Sequence, residues 1–129
     1  MKHNTENFDN KGISRKLHEI IHEVLFECCI NIKSKGYTYI RDAILLIIEL
    51  DRLDLCLNKE VYPRISDKRN AGGISVVEHN IRNAIRSAYH SCSRYRRCDS
   101  HLMSRFAAKP SNKEFLLHIT LEVERRMAG

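Results

Sequence analysis

Between Leu17 and Cys28 the apolar residues Leu17, Ile20, Ile21, Val24, Leu25 and Cys28 recur at intervals of three and four. That spacing puts them on one side of an α-helix but on both sides of a strand, so only a helix buries them together. The pattern predicts a helix from Ser14 to about Ile32, ended by Lys33–Gly36. The same rhythm returns over Thr38–Leu53, where Ile40, Ala43, Ile44, Ile47 and Ile48 form the stripe and Asp51–Leu55 a fraying end. This is the most apolar stretch and the expected centre of the core. It returns again from Ser75 to about His90, and last in Phe115, Leu116, Ile119, Val123 and Met127. With five Gly and two Pro among 129 residues, the turns of a sandwich or barrel are missing. The expected fold is all-α, of about six helices, with residues 1–13 as a flexible tail and residues 14–129 as one helical domain.

The breaks between these segments carry their own signals. Asn58 opens a shorter stretch, Lys59–Arg69, in which Pro63 either begins the regular helix or bends it. Asn70-Ala71-Gly72-Gly73 reads as a tight turn, since two glycines admit positive φ. Ser75 with Glu78 three residues on has the form of a capping box, with Ile74 placed as its hydrophobic staple. Ser111 with Glu114, after Lys109-Pro110, has the same form. Cys92–Arg97 reads as a polar loop and Asp99–Phe106 as a short helix.

The longest apolar run, Ala43–Ile48, is far too short to cross a bilayer, and the polar residues Met1–Asn10 contain no secretory signal. Five cysteines are an odd number with no CxxC, so reduced thiols in a cytoplasmic protein are expected, some of them buried.

The net charge of +6 is unevenly placed. Residues 59–109 carry eleven Lys/Arg and four Asp/Glu, a net of +7, while residues 1–58 sum to −1 and residues 110–129 to zero. A middle segment this basic points to a polyanion partner. It coincides with residues 63–90, which follow the helix-turn-helix plan of short helix, glycine turn and second helix. In that second helix Val77, Ile81, Ala84, Ile85 and Ala88 share one face. The opposite face shows Ser75, His79, Arg82, Asn83, Arg86 and His90, with Val76 at its edge. Arg and Asn are the side chains that bond guanine and adenine through two atoms in the major groove.

Other motifs carry less. His18-Glu19-Ile20-Ile21-His22 matches HExxH, in which histidines four apart grip zinc and the glutamate activates water. A zinc peptidase also needs a substrate sheet and cleft, for which the seventeen residues before His18 leave no room. Glu49 is conceivable as a third ligand, but no spacing specifies it. His90, Cys92, Cys98 and His101 fit no zinc ribbon or finger. P-loop, GxGxxG and GxSxG motifs are missing. The chain is therefore not expected to be an enzyme, and no catalytic residue, metal or cofactor is assigned.

Lys35-Gly36-Tyr37-Thr38-Tyr39-Ile40-Arg41-Asp42-Ala43-Ile44, Val61-Tyr62-Pro63-Arg64-Ile65, Val77-Glu78 through Ile81-Arg82 to Ala84-Ile85, and Lys109-Pro110-Ser111-Asn112 to Glu114-Phe115 together resemble one family. It is the C-terminal DNA-binding effector domain of the sporulation initiation response regulator, and the likeness covers roughly residues 17–126. The resemblance implies six helices with a helix-turn-helix, tandem binding to a short DNA box, and contact with an RNA polymerase sigma factor. In the family the recognition helix reads Ser-Arg-Val-Glu-Arg-Ala-Ile-Arg-His. Ser75, Glu78 and Arg82 match it; Val76 and His79 replace its first two arginines, Asn83 stands at the histidine position, and Arg86 replaces a glutamate. The turn with Gly72-Gly73 is one residue longer. Family members also carry an N-terminal phosphoacceptor receiver domain, and here only a short tail precedes the helices, so the sequence is either a stand-alone form, which its polar start favours, or a fragment of a receiver-containing protein.

The expected function is sequence-specific regulation of transcription, with residues 75–90 in the major groove of duplex DNA. Ser75, Glu78, His79, Arg82, Asn83 and Arg86 would face the bases, and Lys68, Arg69, Arg94, Arg96, Arg97 and Lys109 the phosphates. A sigma factor and a second copy of the chain on DNA are the further partners considered, and no membrane is. The rival reading is a protein-interaction module, an antagonist of a full-length regulator or sigma factor that has lost specific DNA binding.

Overall fold

A serine and an aspartate bracket the most apolar helix of the chain. Ser34 caps α2 (Lys35–Leu50) by accepting the Tyr37 N–H at 3.1 Å, and Asp51 closes it in the left-handed conformation. Here and below, the computed structural model describes residues 7–95 and 102–129, with side chains described for 14–92 and 102–129. The apolar stripe of α2 lies at the centre of the core, with Ile40, Ala43, Ile44 and Ile47 all buried. Each such isoleucine contributes about 2 kcal/mol through removal of its side chain from water.

The other helices turn their stripes towards that one. α1 (Asn7–Glu27) buries Ile21, Val24, Leu25 and Cys28 just beyond its end. α3 (Tyr62–Arg69) buries Tyr62 and Ile65, and α4 (Ile74–Tyr95) buries Val77, Ile81, Ile85 and Ala88. α5 (Asn112–Ala128) buries Phe115, Leu116, Ile119 and Val123. α2 packs on α4 and α5, α1 packs on α5, and α3 packs on α4. The fold is all-α as expected, with five α-helices among the described residues. A π-helical turn, Leu57–Val61, leads into α3, and Pro63 stands in the first turn of that helix, where its missing N–H costs nothing.

Several boundaries differ from the periodicity. α1 starts at Asn7, not Ser14, and ends at Glu27 instead of Ile32, with Cys29 at a φ of 66°. Residues 1–6 of the expected tail lie outside the described residues. α4 continues five residues past His90 to Tyr95, so the first part of the expected Cys92–Arg97 loop is helical. Of the helix expected over Asp99–Phe106, the described part is a single 3-10 turn, Met103–Arg105. Cys92 is disulfide-bonded, which corrects the expectation of reduced thiols throughout, while Cys28, Cys29 and Cys56 are not disulfide-bonded. Burial pushes the Cys28 thiol up to about 12, so it serves as a small apolar core residue.

Two polar clusters join helices distant in sequence. Arg126 on α5 donates to Glu27 on α1 at 2.9 and 3.0 Å and to Glu122 on its own helix at 2.8 Å. Glu122 is only 4% exposed and also receives Arg125, with Arg105 3.7 Å away. The bond from Arg125, aided by Arg126, overrides burial and holds the Glu122 carboxyl down at about 2. At the other end of the core, Gly36 lies where α2 crosses α4. A Cβ added there would sit 2.5 Å from the Asn80 carbonyl oxygen and 2.6 Å from the Ala84 Cβ.

Candidate nucleic-acid interface

The connection between α3 and α4 is four residues long, and its conformation demands the residues it has. Asn70 ends α3 at a φ of 51°, and Gly72 and Gly73 follow at 101° and 137°. The first is a region that asparagine tolerates, while the wider positive values favour glycine. The Gly73 N–H donates to the Ser66 hydroxyl at 2.9 Å, tying the turn back to α3. α4 then starts at Ile74, and Val77 N–H donates to the Gly73 carbonyl at 3.4 Å. Gly73, not Ser75, thus occupies the capping position. The expected Ser75–Glu78 box does not form, and Ile74 is 38% exposed and not a buried staple. The Ser111–Glu114 box forms in full, with bonds of 3.1 and 2.8 Å.

A buried ion pair sets the position of α3. Asp42 on α2 is 3% exposed, and Arg69 grips it through two bonds, Nε at 2.7 Å and Nη2 at 3.0 Å. The bond to Asp42 raises the Arg69 guanidinium above its ordinary value, so it stays charged. A residue assigned to phosphate in the sequence therefore also holds α3 on α2. Lys68 approaches Asp42 only to 4.0 Å and is mostly exposed. At the start of α5, the Asn112 amide donates to the Tyr62 hydroxyl at 3.1 Å and to the Glu78 carbonyl at 3.2 Å, joining α3, α4 and α5.

This frame turns one polar face of α4 outward. Ser75, His79 and Arg86 are exposed and Glu78, Arg82 and Asn83 half-buried. Five of them form a continuous ladder. Arg82 donates to Glu78 at 2.8 Å, and its Nη2 lies 2.9 Å from His79 Nδ1. His79 Nε2 lies 2.9 Å from the Asn83 amide nitrogen, and Arg86 donates to Asn83 Oδ1 at 2.5 Å. A neutral imidazole has a single lone pair, so it accepts from Arg82 or from Asn83 but not from both. Turning the Asn83 amide over satisfies the imidazole N–H but takes the acceptor from Arg86. Either way the ladder is one acceptor short.

Beside the ladder runs a groove of about 500 Å³ between α4 and the start of α5, lined by Arg82, Lys109, Ser111, Asn112 and Lys113 among others. Lys109 thus lines the same groove as Arg82, and so does Lys113, which the sequence pattern did not single out. Arg96 and Arg97 and the side chain of Arg94 lie outside the described residues, as do Cys98 and His101.

The family described as sporulation initiation factor Spo0A C terminal matches residues 21–123, from the middle of α1 to the last buried turn of α5. The chain belongs to that family. It is a family of DNA-binding regulatory effector domains, not of enzymes, and the partner it implies is double-stranded DNA. Among the described residues no helix is long and apolar enough to cross a membrane.

Two connections of this site were hidden in the sequence. Asp42 stands two residues after Ile40, about 200° round the helix and off the apolar stripe, so the order of the residues marks neither its burial nor its partner. Asn112 gave no signal beyond its place in the Lys109–Asn112 run.

Proposed function

We propose that the chain is a sequence-specific transcription regulator that lays the polar face of α4 in the major groove. The observation that carries this reading is the acceptor shortage of the Glu78–Arg82–His79–Asn83–Arg86 ladder. Base edges in the major groove supply the missing acceptors, guanine through O6 and N7 and adenine through N7. Arg82 and Arg86, spaced by Asn83 and oriented before binding, are the principal readers, with His79 between them and Ser75 at the entering end of the helix. Lys68, Lys109 and Lys113 neutralise phosphates on either side, and Arg69 combines that contact with its hold on Asp42. Arg94, Arg96 and Arg97 are assigned to phosphate from the sequence.

Val76 and His79 stand where the family carries arginines, so the preferred box differs from the family's. The same replacements favour a second reading, an antagonist that keeps the fold and pairs with a full-length regulator or a sigma factor. Val76 is half-buried, with its Cγ2 3.9 Å from where a Cβ on Gly72 would lie, and presents no donor. Selection from a random duplex pool at near-physiological salt separates the two. An enriched box that Arg82→Ala fails to bind supports the regulator. Weak, salt-sensitive binding without enrichment refutes it and leaves the antagonist.

A further inference from the structure

We propose that His18 and His22 on α1 form a two-histidine chelate for a borderline divalent transition-metal ion such as Zn²⁺, with Tyr37 as the residue that orients the chelate. Side chains four apart on a helix are neighbours one turn from each other, about 6 Å along the axis, which is the spacing that lets two imidazoles share one ion. Both histidines are exposed and line one concavity of α1 together with Ser14, Arg15 and Glu19.

The His22 ring is held from behind. Its Nδ1 lies 2.9 Å from the Tyr37 hydroxyl on α2, the Tyr37 ring meets it edge-on at 6.1 Å, and Phe26 stacks on it at 6.5 Å. A hydrogen bond from Nδ1–H to the phenol oxygen leaves the Nε2 lone pair free for an ion. This is the arrangement that metal-ligating histidines use to fix their tautomer and aim. Arg15 and Glu19 offer opposite charges to the same concavity, so an arriving cation meets no net repulsion from that pair. The Arg41 guanidinium lies over the Tyr37 ring, 5.8 Å from its centroid.

No group of three His, Cys, Asp or Glu side chains suited to an ion occurs among the described residues. The protein therefore supplies two ligands, and water or a donor from another molecule completes the tetrahedral shell that Zn²⁺ prefers. The site binds an ion without being a hydrolytic centre, and it stands on a helix face remote in sequence from the α4 ladder.

Zn²⁺ titration of the full chain by calorimetry, with imidazole ¹H–¹⁵N spectra as the site-specific readout, tests this. The expected result is one saturable site that perturbs the His18 and His22 resonances. His18→Ala and His22→Ala each weaken it at least tenfold, while their circular dichroism stays that of wild type. Tyr37→Phe, which keeps both ligands and removes only the orienting hydroxyl, weakens binding by roughly tenfold. Binding that is missing from the wild type, or unmoved by both histidine variants, overturns the site. Binding unmoved by Tyr37→Phe overturns the role given to Tyr37.

Discussion

Replacing Gly36 by alanine should destabilise this protein, although alanine is the better helix former. In the interior of a helix the exchange is worth about 1 kcal/mol in alanine's favour, and less at the second residue of α2. Against that stands the crossing with α4. The new methyl would lie 2.5 Å from the Asn80 carbonyl oxygen and 2.6 Å from the Ala84 Cβ, where ordinary contact begins at 3.4 Å. Neither atom is the end of a flexible side chain, so α4 must retreat by close to an ångström along the line of the clash. Overpacking of this kind costs about 1–3 kcal/mol. The net loss is therefore roughly 1–2 kcal/mol, or about 3–10 °C in Tm for a chain of this length. Thermal unfolding followed at 222 nm and the urea midpoint measure it directly. Because the helix displaced is the one that carries Arg82, DNA affinity should fall as well, even below the transition where the protein is folded. A Gly36→Ala protein with a Tm equal to or above that of wild type would refute the close crossing and with it the fixed placement of α4.

Four further outcomes follow from the same structure. Arg82→Ala should cost about 1–3 kcal/mol in binding to the selected box, a loss of roughly 5- to 150-fold, and relax preference at one position; equal binding in a fluorescence anisotropy titration counts against the base-facing assignment. Lys109→Ala and Lys113→Ala should weaken binding to all duplexes alike and each reduce the slope of log K against log salt by about 0.9. Arg69→Ala strands the buried Asp42 carboxylate, so a stability loss of about 2–3 kcal/mol is expected by urea denaturation, below the cost at a fully buried pair because Arg69 is itself part-exposed. Glu122, held at about 2 in the fold, contributes stability above the ordinary carboxylate range, and that contribution of roughly 3 kcal/mol is lost as pH falls from about 4.5 towards 2. Glu122→Gln should therefore be less stable than wild type at pH 7 and close to it near pH 2.

Much of this molecule was legible along the chain because helices are made by neighbours three and four apart. The stripe Ile40, Ala43, Ile44 and Ile47, the stripe Val77, Ile81, Ile85 and Ala88, the positive-φ glycines of the turn and the Ser111–Glu114 box all express local geometry, and the structure has each in its expected place. The outward residues of α4 were legible for the same reason, since a buried stripe defines its opposite face. Tertiary packing decided what no local pattern carries. It made Gly73 the cap of α4 in place of Ser75, because the Gly73 N–H is taken by Ser66 seven residues earlier and the chain enters the helix two residues sooner. It bound Arg69 to Asp42, twenty-seven residues away, and set Asn112 across Tyr62 and Glu78. Such pairs depend on how two helices cross, and the crossing is fixed by three-dimensional contacts such as that of Gly36 with Asn80, which leave no periodic trace in the order of the residues.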